Sequence, residues 1–205
     1  MSYPTRSSIE FSDRELVDLA AAWVALSVAF ALLLRPIHRG GISPADFVAT
    51  VGLSFVTVGV AFLLHELAHK VVAVRFGQTA EFRADYGMLF LAIVSALVGF
   101  LFAAPGAVYH RGRITVRENG LIALAGPVTN IGLAAAFLPL VVVPGLGAVG
   151  HLGVLINLFL AAFNMLPYGP LDGKSVWRWD TSMFIGVFVP SVVALVAAFL
   201  VLGFP

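Results

Sequence analysis

The stretch AFLLHELAHKVVAV, residues 61–74, places two histidines and a glutamate inside a run of otherwise apolar residues. The run has the composition of a membrane-spanning helix, in which ionisable side chains are rare because lipid penalises them. Where such side chains do occur, they usually serve a function, for example binding an ion or moving a proton. We therefore take His65, Glu66 and His69 as the first candidate functional residues of the chain.

The composition of the whole chain indicates an integral membrane protein. Of its 205 residues, 60% are hydrophobic and 11% are charged, and the mean hydropathy is +0.99. Soluble domains are rarely so apolar, and a spanning helix needs about 20 apolar residues. Six uncharged stretches approach or exceed this length, namely Leu19–Leu34, Phe47–Leu64, Tyr86–Tyr109, Gly120–Gly150, Leu152–Leu171 and Thr181–Pro205.

These stretches predict an all-α polytopic membrane protein with five to six transmembrane helices. We expect a single domain over residues 1–205, with a core at about 47–176 and flanking helices at about 16–35 and 182–203. The first helix is expected to be retained, because the residues before it are acidic and a signal peptide begins with basic ones. We expect no appended soluble domain, since no polar segment is long enough to form one.

The charge and the cysteine content narrow the possible functions. A net charge of +1 and the absence of a Lys/Arg-rich run offer no basic surface to nucleic acid, which we do not expect as a partner. The chain contains no cysteine, so it forms neither disulfides nor thiolate metal sites. Any metal site must therefore be built from nitrogen and oxygen ligands.

The motif HELAH matches the zinc hydrolase pattern HExxH. On an α-helix, residues four apart lie on one face, so His65 and His69 can present two imidazoles to one cation while Glu66 lies beside them. A zinc ion lowers the pKa of a bound water to about 7, and a neighbouring carboxylate can accept its proton as a carbonyl is attacked. The motif therefore predicts Glu66 as a general base.

The third zinc ligand is not decided by the residues alone. A catalytic zinc ion usually has three protein ligands and keeps a fourth position for water. His38 and His110 lie in charged segments and His151 opens an apolar helix, so each is more readily a polar boundary residue than a ligand. Asp172, in FNMLPYGPLDGKSV at 163–176, is the acidic candidate in apolar surroundings. Pro-Leu-Asp-Gly is, however, also a common turn composition.

Three motifs taken together resemble the site-2 protease family of intramembrane zinc metalloproteases. They are HELAH at 65–69, LAGPVTN at 124–130, which is similar to the family's Gly-Pro-x-x-Asn helix, and NMLP at 164–167 followed by Asp172 and Gly173. They occur in the family's order and cover more than half of the chain.

The resemblance implies one zinc ion bound by His65, His69 and Asp172, with Glu66 as the catalytic residue. It also implies that Asn164 contacts the substrate backbone or the oxyanion, and it offers Asn130 as a second candidate for this contact. The alternative for Asn130 and for Asn164 is a buried amide that holds helices together or caps local backbone.

A shared zinc site constrains the topology. If Asp172 lies beside the two histidines, the HELAH helix and the helix that ends near Asn164 must run in the same direction. An odd number of crossings then separates them, although two apolar segments lie between them. We assign the non-crossing role to 86–109, as a re-entrant segment or a β-hairpin. Extended edges are expected at 103–110 and 113–119, and the resemblance implies that unwound substrate lies against such a strand.

The positions of Lys and Arg support this topology. With the N-terminus inside and 86–109 re-entrant, ten basic residues lie inside and two outside, whereas six full crossings give at best seven and five. The ten are Arg6, Arg14, Lys70, Arg75, Arg83, Arg111, Arg113, Arg117, Lys174 and Arg178. Because basic residues favour the cytoplasmic side, we expect a cytoplasmic N-terminus and an active site toward that side.

The leading hypothesis is an enzyme that hydrolyses peptide bonds within, or at the edge of, the transmembrane helix of another membrane protein. A membrane protease that cleaves loops uses the same chemistry, but such families usually take a glutamate as third ligand. A metal-ion transporter or binding protein is the alternative from another class, since intramembrane His and Asp also mark ion paths. The expected partners are a substrate helix and the lipid bilayer. The sequence leaves the substrate and the oligomeric state open.

Overall fold

The computed structural model describes residues 9–35, 43–102 and 104–203. In chain order the elements are α1 (Asp13–Leu34), α2 (Pro44–Ser54), a π-helical turn (Phe55–Gly59), α3 (Val60–Arg75), β1 (Thr79–Ala84), α4 (Tyr86–Leu97), β2 (Gly106–Arg111), α5 (Val116–Phe137), a 3-10 turn (Leu138–Val142), α6 (Gly147–Asn164), α7 (Asp172–Trp179) and α8 (Thr181–Leu202). The predicted fold class is confirmed: the protein is mostly helical, and a two-stranded hairpin lies between the HELAH helix and the Gly-Pro-x-x-Asn helix.

Within the described ranges, five helices are long and apolar enough to cross a membrane. They are α1, the continuous 32-residue helix α2–α3, α5 with its 3-10 turn, α6 and α8. Helix α4 has 12 residues and is therefore about 18 Å long, well short of a hydrocarbon core of about 30 Å. The segment 86–109 thus contributes a short helix and a strand in place of a sixth long helix, and the protein is a multi-pass membrane protein.

The hairpin pairs β1 with β2 in antiparallel register, with Phe82 opposite Val108. Strand β2 overlaps the predicted extended segment at 103–110. Its partner β1 follows directly after the HELAH helix. The hairpin therefore begins where α3 ends, and its second strand returns toward α3.

The prediction of an extended edge at 113–119 was wrong, because helix α5 begins within that segment. The Thr115 hydroxyl accepts a hydrogen bond from the Glu118 backbone N–H, and the Glu118 carboxylate accepts one from the Thr115 backbone N–H. This reciprocal capping box satisfies two backbone donors that the first turn of a helix would otherwise leave unpaired. The local signal for a helix start therefore outweighs the β-branched residues Ile114 and Val116.

Helix α5 is the centre of the packing. It contacts α3, α6 and α7, while α1 packs against α2, α4 and β1. Small residues line this centre, since Ala73 of α3, Ala123 of α5 and Ala161 of α6 are all buried. Small side chains allow helices in a membrane to approach closely. The HELAH turn of α3 is consequently enclosed by α5 and α7.

A π-helical turn at Phe55–Gly59 joins α2 to α3 without breaking the long helix. The indole N–H of Trp23, on α1, donates to the Phe55 carbonyl at 2.9 Å, and the two rings stack with centroids 4.4 Å apart. A β-carbon at Gly59 would overlap the Trp23 ring. Because a π-turn adds one residue to the helix, it sets the rotation at which the following turns of α3 face their neighbours.

Candidate metal centre

His65, Glu66 and His69 lie on a helix, as the motif predicts, and the structure shows that all three are buried in the middle of α3. One helical turn brings the two imidazoles together, with ring centroids 4.6 Å apart in an edge-to-face arrangement. Their Nε2 atoms are 3.0 Å apart. The HELAH helix therefore presents two nitrogen atoms toward a single point.

Asp172 is the first residue of α7 and closes the site from the other end of the chain. Its Oδ2 lies 3.3 Å from the Nε2 of His65 and 3.4 Å from the Nε2 of His69. A β-carbon at Gly173 would overlap the Met165 carbonyl, so α7 can begin this close to the end of α6 only because glycine follows the aspartate. Gly173 thus has a packing role next to the candidate ligand Asp172.

The three atoms form a triangle of a size that suits zinc. In the described part of the chain, His65, His69 and Asp172 are the group of three metal-ligating side chains whose atoms converge. Ligands in a tetrahedron with bonds of about 2.0 Å are about 3.3 Å apart, close to the three distances found here. Neither His110 nor His151 belongs to the group, and His38 lies outside the described residues.

The hydrogen-bond partners of the two imidazoles assign their tautomers, and these tautomers suit a cation in the triangle. The Nδ1–H of His65 donates to the Asn130 Oδ1 at 2.6 Å, and the Nδ1–H of His69 donates to the Ile122 carbonyl at 2.7 Å. Each neutral ring therefore directs the lone pair of its Nε2 into the triangle. The Asp172 Oδ2 is buried there without a hydrogen-bond donor. Three electron pairs converge, and the nitrogen and oxygen ligands fit zinc.

Electrostatics at Asp172 lead to the same conclusion. Burial raises the pKa of its carboxyl, but positive charge placed at the two imidazoles overcomes this effect and lowers the pKa to about 2. Asp172 is therefore ionised at neutral pH whenever positive charge occupies the triangle. A metal cation would supply that charge without protonating either imidazole.

Asn130 orients His65, and a second asparagine orients Asn130. The Asn130 Nδ2 donates to the Ala61 carbonyl at 3.2 Å and to the Asn157 Oδ1 at 2.9 Å. The Asn157 Nδ2 in turn donates to the Gly153 carbonyl at 2.8 Å. Both amides are fully buried. The sequence analysis did not single out Asn157, although an asparagine in the apolar stretch of α6 is a signal of the same kind as the histidines.

The two predicted asparagines differ in position. Asn130 lies behind His65, and its predicted contact with substrate or oxyanion stays a prediction beside the observed contact with the ring. Asn164 is half-buried at the end of α6, and its Nδ2 donates to the Leu160 carbonyl at 3.1 Å. Its predicted contact with the substrate also stays a prediction.

Gly126 allows the α5 backbone to approach the triangle. A β-carbon at this position would lie 2.5 Å from the Nε2 of His65 and 2.6 Å from the Nε2 of His69. Pro127, the next residue, is buried and cannot donate to the Ala123 carbonyl, which loosens this turn of α5. The Gly-Pro pair of the LAGPVTN motif thus shapes the wall of the site, a role that the sequence analysis did not assign.

The hairpin forms another wall. The backbone N–H of Val108, on β2, lies close to the Glu66 carboxylate. His110, two residues further along β2, is half-buried, and burial lowers its pKa. His110 is therefore neutral at pH 7. The candidate general base, Glu66 on α3, therefore faces β2.

Comparison with known proteins identifies relatives along most of the chain. MJ0611 of Methanocaldococcus jannaschii is 40% identical over 192 residues, which cover 91% of this chain and 95% of that protein. YwhC of Bacillus subtilis is 34% identical over 59% of this chain and 65% of its own length. Rip3 of Mycobacterium tuberculosis is 34% identical over 58% of this chain and 28% of its own length. All three bear the name of a zinc metalloprotease. No family model and no solved structure matches the chain.

Proposed function

The chain belongs to the site-2 protease family of zinc metalloproteases, and on that premise we propose that it cleaves membrane-protein substrates within or at the edge of their transmembrane helices. One observation carries the proposal: three buried ligand atoms converge beside Glu66 in a protein with five long apolar helices. A hydrolytic site enclosed by spanning helices is suited to substrates that are themselves in the membrane.

The protein residues divide the work at this site. His65 and His69 supply two Nε2 lone pairs, Asp172 supplies one carboxylate oxygen, and Asn130 holds the His65 ring in the required tautomer. One zinc ion, when bound, polarises a carbonyl and lowers the pKa of its water to about 7. Zinc fits this set of donors because it accepts nitrogen and oxygen ligands in tetrahedral arrangement.

Glu66 moves the proton. Its carboxylate is buried next to the ligand histidines, where it can accept a proton from the attacking water and later deliver it to the leaving amine. The Val108 N–H lies close to this carboxylate. Burial within protein keeps bulk water away from the carboxylate and strengthens its interactions.

The hairpin supports a way of presenting substrate. A peptide bond inside a helix is closed to attack, so the substrate must unwind before cleavage. One edge of β2 pairs with β1, and its other edge faces Glu66. We propose that an unwound substrate segment adds to this second edge, as peptides do in β-augmentation, and that Asn164 contacts its backbone.

The charge distribution supports an inward-facing site. Ten of the twelve basic residues fall on one side in a five-crossing topology, which favours a cytoplasmic N-terminus and an active site toward the cytoplasm. Cleavage on that side would release the cytoplasmic part of an anchored substrate. We propose regulated intramembrane proteolysis as the reaction that the enzyme performs.

Two variants test the assignment with purified protein in bicelles. Glu66→Gln is expected to retain one zinc ion per chain, measured by elemental analysis, and to lose cleavage. Asp172→Ala is expected to lose the bound zinc, since one of three ligands is removed. The probe is a fluorescent single-span peptide with glycine and proline at its centre; a matched peptide with leucine at those positions should resist cleavage because it cannot unwind.

The outcomes separate protease from transporter. Undiminished cleavage by Glu66→Gln would remove that residue from the mechanism. Zinc uptake into proteoliposomes by the wild type, without cleavage of either peptide, would favour the transporter. Stoichiometric zinc in Asp172→Ala would contradict the proposed third ligand.

A further inference from the structure

Lys70 directly follows the second histidine of HELAH and is buried, with 1% of its surface exposed. It forms an ion pair with Glu15, on α1, which is 0% exposed. Removing two charges from water is costly, and the attraction between them offsets this cost only when other hydrogen bonds also satisfy them. The remaining contacts of this pair therefore indicate what it does.

The Lys70 ammonium group makes its contacts with residues at and before the start of α1. The Lys70 Nζ donates to the Glu15 Oε2 and to the Glu10 carbonyl, and it lies 3.9 Å from the centre of the Phe11 ring. These contacts join the beginning of α1 to the HELAH helix. They leave the second oxygen of the Glu15 carboxylate available for a different partner.

That partner belongs to the hairpin. The Glu15 Oε1 accepts a hydrogen bond from the backbone N–H of Phe82, on β1, at 3.0 Å. Asp18, one turn later on the same face of α1, accepts a hydrogen bond from the Tyr86 hydroxyl at 2.7 Å and lies 3.7 Å from an Arg83 nitrogen. Two buried carboxylates of α1 thus hold the first strand of the hairpin and the start of α4.

The strand register relates the Glu15–Phe82 contact to Val108, which lies opposite Phe82 on β2. Because the Phe82 N–H points away from β2 toward Glu15, Phe82 and Val108 form a non-hydrogen-bonded pair. In such a pair both residues direct their amides outward, so the Val108 N–H also points away from the hairpin, on the opposite edge. On that edge the Val108 N–H lies close to the Glu66 carboxylate. One cross-strand pair therefore lies between two carboxylates, one bonded to Phe82 and the other close to Val108.

We propose that Glu15 is a positioning residue: by accepting the Phe82 N–H it fixes the hairpin at the register that brings the Val108 amide to Glu66. Lys70 holds the Glu15 carboxylate in place for this contact. The proposal rests on the proposed function, in which Glu66 is the general base. It explains why acidic residues precede the first apolar stretch, a feature that neither the ligands nor the base requires.

Two double variants separate the hydrogen bond from the ion pair. Glu15→Gln with Lys70→Gln removes both charges and keeps an oxygen acceptor for the Phe82 N–H. Glu15→Leu with Lys70→Met removes the charges and the acceptor together. Neither leaves an unpaired buried charge, and apolar replacements of buried ion pairs are often tolerated, so both proteins should fold. Glu81→Gln is the control, because it removes a carboxylate from β1 that pairs with Arg83 on the same strand.

Three measurements are made on each protein: bound zinc, kcat on the single-span peptide per bound zinc, and hydrogen exchange of the amides in 104–112. The Leu/Met protein is expected to keep its zinc, to lose about 10- to 100-fold in kcat, as displaced catalytic groups do, and to exchange faster. The Gln/Gln protein and the Glu81→Gln control should stay close to the wild type.

The proposal would be overturned if the Leu/Met protein kept the kcat and the amide exchange rates of the wild type. It would also be overturned if both double variants lost the same amount of kcat, because the effect would then come from the charges. A purely structural role would lower the yield of folded protein without changing kcat per zinc. If the wild type itself cleaves neither peptide, the proposed function fails, and the exchange rates still decide whether Glu15 holds the hairpin.

Discussion

Residues that offer no ligand atom shape the candidate metal centre as much as the three candidate ligands do. Gly126 brings the α5 backbone against both imidazoles, and Asn130 and Asn157 set the ring of His65 by a chain of hydrogen bonds. Partners of this kind fix the tautomer and the direction of a ligand. Residues of α5 and α6 therefore set the directions of the two candidate ligand histidines.

Replacing Gly126 by alanine is expected to abolish or greatly weaken metal binding. The new methyl group would occupy space held by the two Nε2 atoms, so we expect a loss of at least about 10-fold in zinc affinity, measured by competition with a chromophoric chelator. Gly132→Ala, on the same helix, is the matched control because nothing lies within 4 Å of its added carbon. Equal affinities in the two variants would contradict the packing argument.

Replacing Asn130 and replacing Asn164 should have different effects on zinc affinity. Asn130→Ala removes the acceptor of the His65 Nδ1–H, and we expect zinc affinity to fall by about 10- to 100-fold. Asn164→Ala removes an amide whose observed donor contact is to the Leu160 carbonyl, and we expect its zinc affinity to be unchanged while cleavage slows. The same chelator titration tests both, and unchanged affinity in Asn130→Ala would count against its orienting role.

At the scale of elements, the π-helical turn of α2–α3 is held by a contact from α1. Trp23 fills the space beside Gly59 and satisfies the Phe55 carbonyl. Carbonyls freed at a π-turn are costly in lipid unless a donor reaches them. Helix α1 therefore contributes to the rotation of the helix that carries HELAH, although it supplies no ligand.

Gly59→Ala should disturb this turn. The added methyl group overlaps the Trp23 ring, and overpacking of this kind costs about 1–3 kcal/mol, so the thermal unfolding midpoint in detergent is expected to fall. Gly52→Ala, one turn before the π-helical turn in α2, meets nothing within 4 Å and should leave the midpoint unchanged. A midpoint for Gly59→Ala equal to that of Gly52→Ala would argue that Trp23 moves aside freely.

For the whole molecule, the five-crossing topology makes a prediction about sidedness. The chain has no native cysteine, so single cysteines can report on each loop. Tyr168, between α6 and α7, is 82% exposed, and Pro144, between α5 and α6, is also exposed. In intact cells an impermeant maleimide should label Pro144→Cys and spare Tyr168→Cys, because α6 separates the two loops.

Inside-out vesicles should reverse this labelling pattern. The opposite result in both preparations would invert the orientation of the whole protein. Labelling of both cysteines from one side would mean that α6 does not cross, and the parity of the crossings would then have to be revised.

The sequence alone determined the membrane class, the HELAH pair and the identity of the third ligand candidate. These depend on composition, on helical spacing and on a motif resemblance, which are all readable within short windows of the chain. The sequence also predicted that 86–109 does not make a full crossing, because the number of crossings and the distribution of basic residues constrain it, and the short helix α4 agrees with this prediction.

Only the tertiary structure decided what supports these residues. The contact of Asn157 with Asn130, the clearance at Gly126 and the link from Glu15 through Phe82 to Val108 all join residues far apart in the chain. The pairing of β2 with β1 is of the same kind. Such contacts leave no local periodicity, since each depends on where two separately formed elements meet, and helix packing in a membrane is decided by shape and hydrogen bonding and not by a hydrophobic pattern.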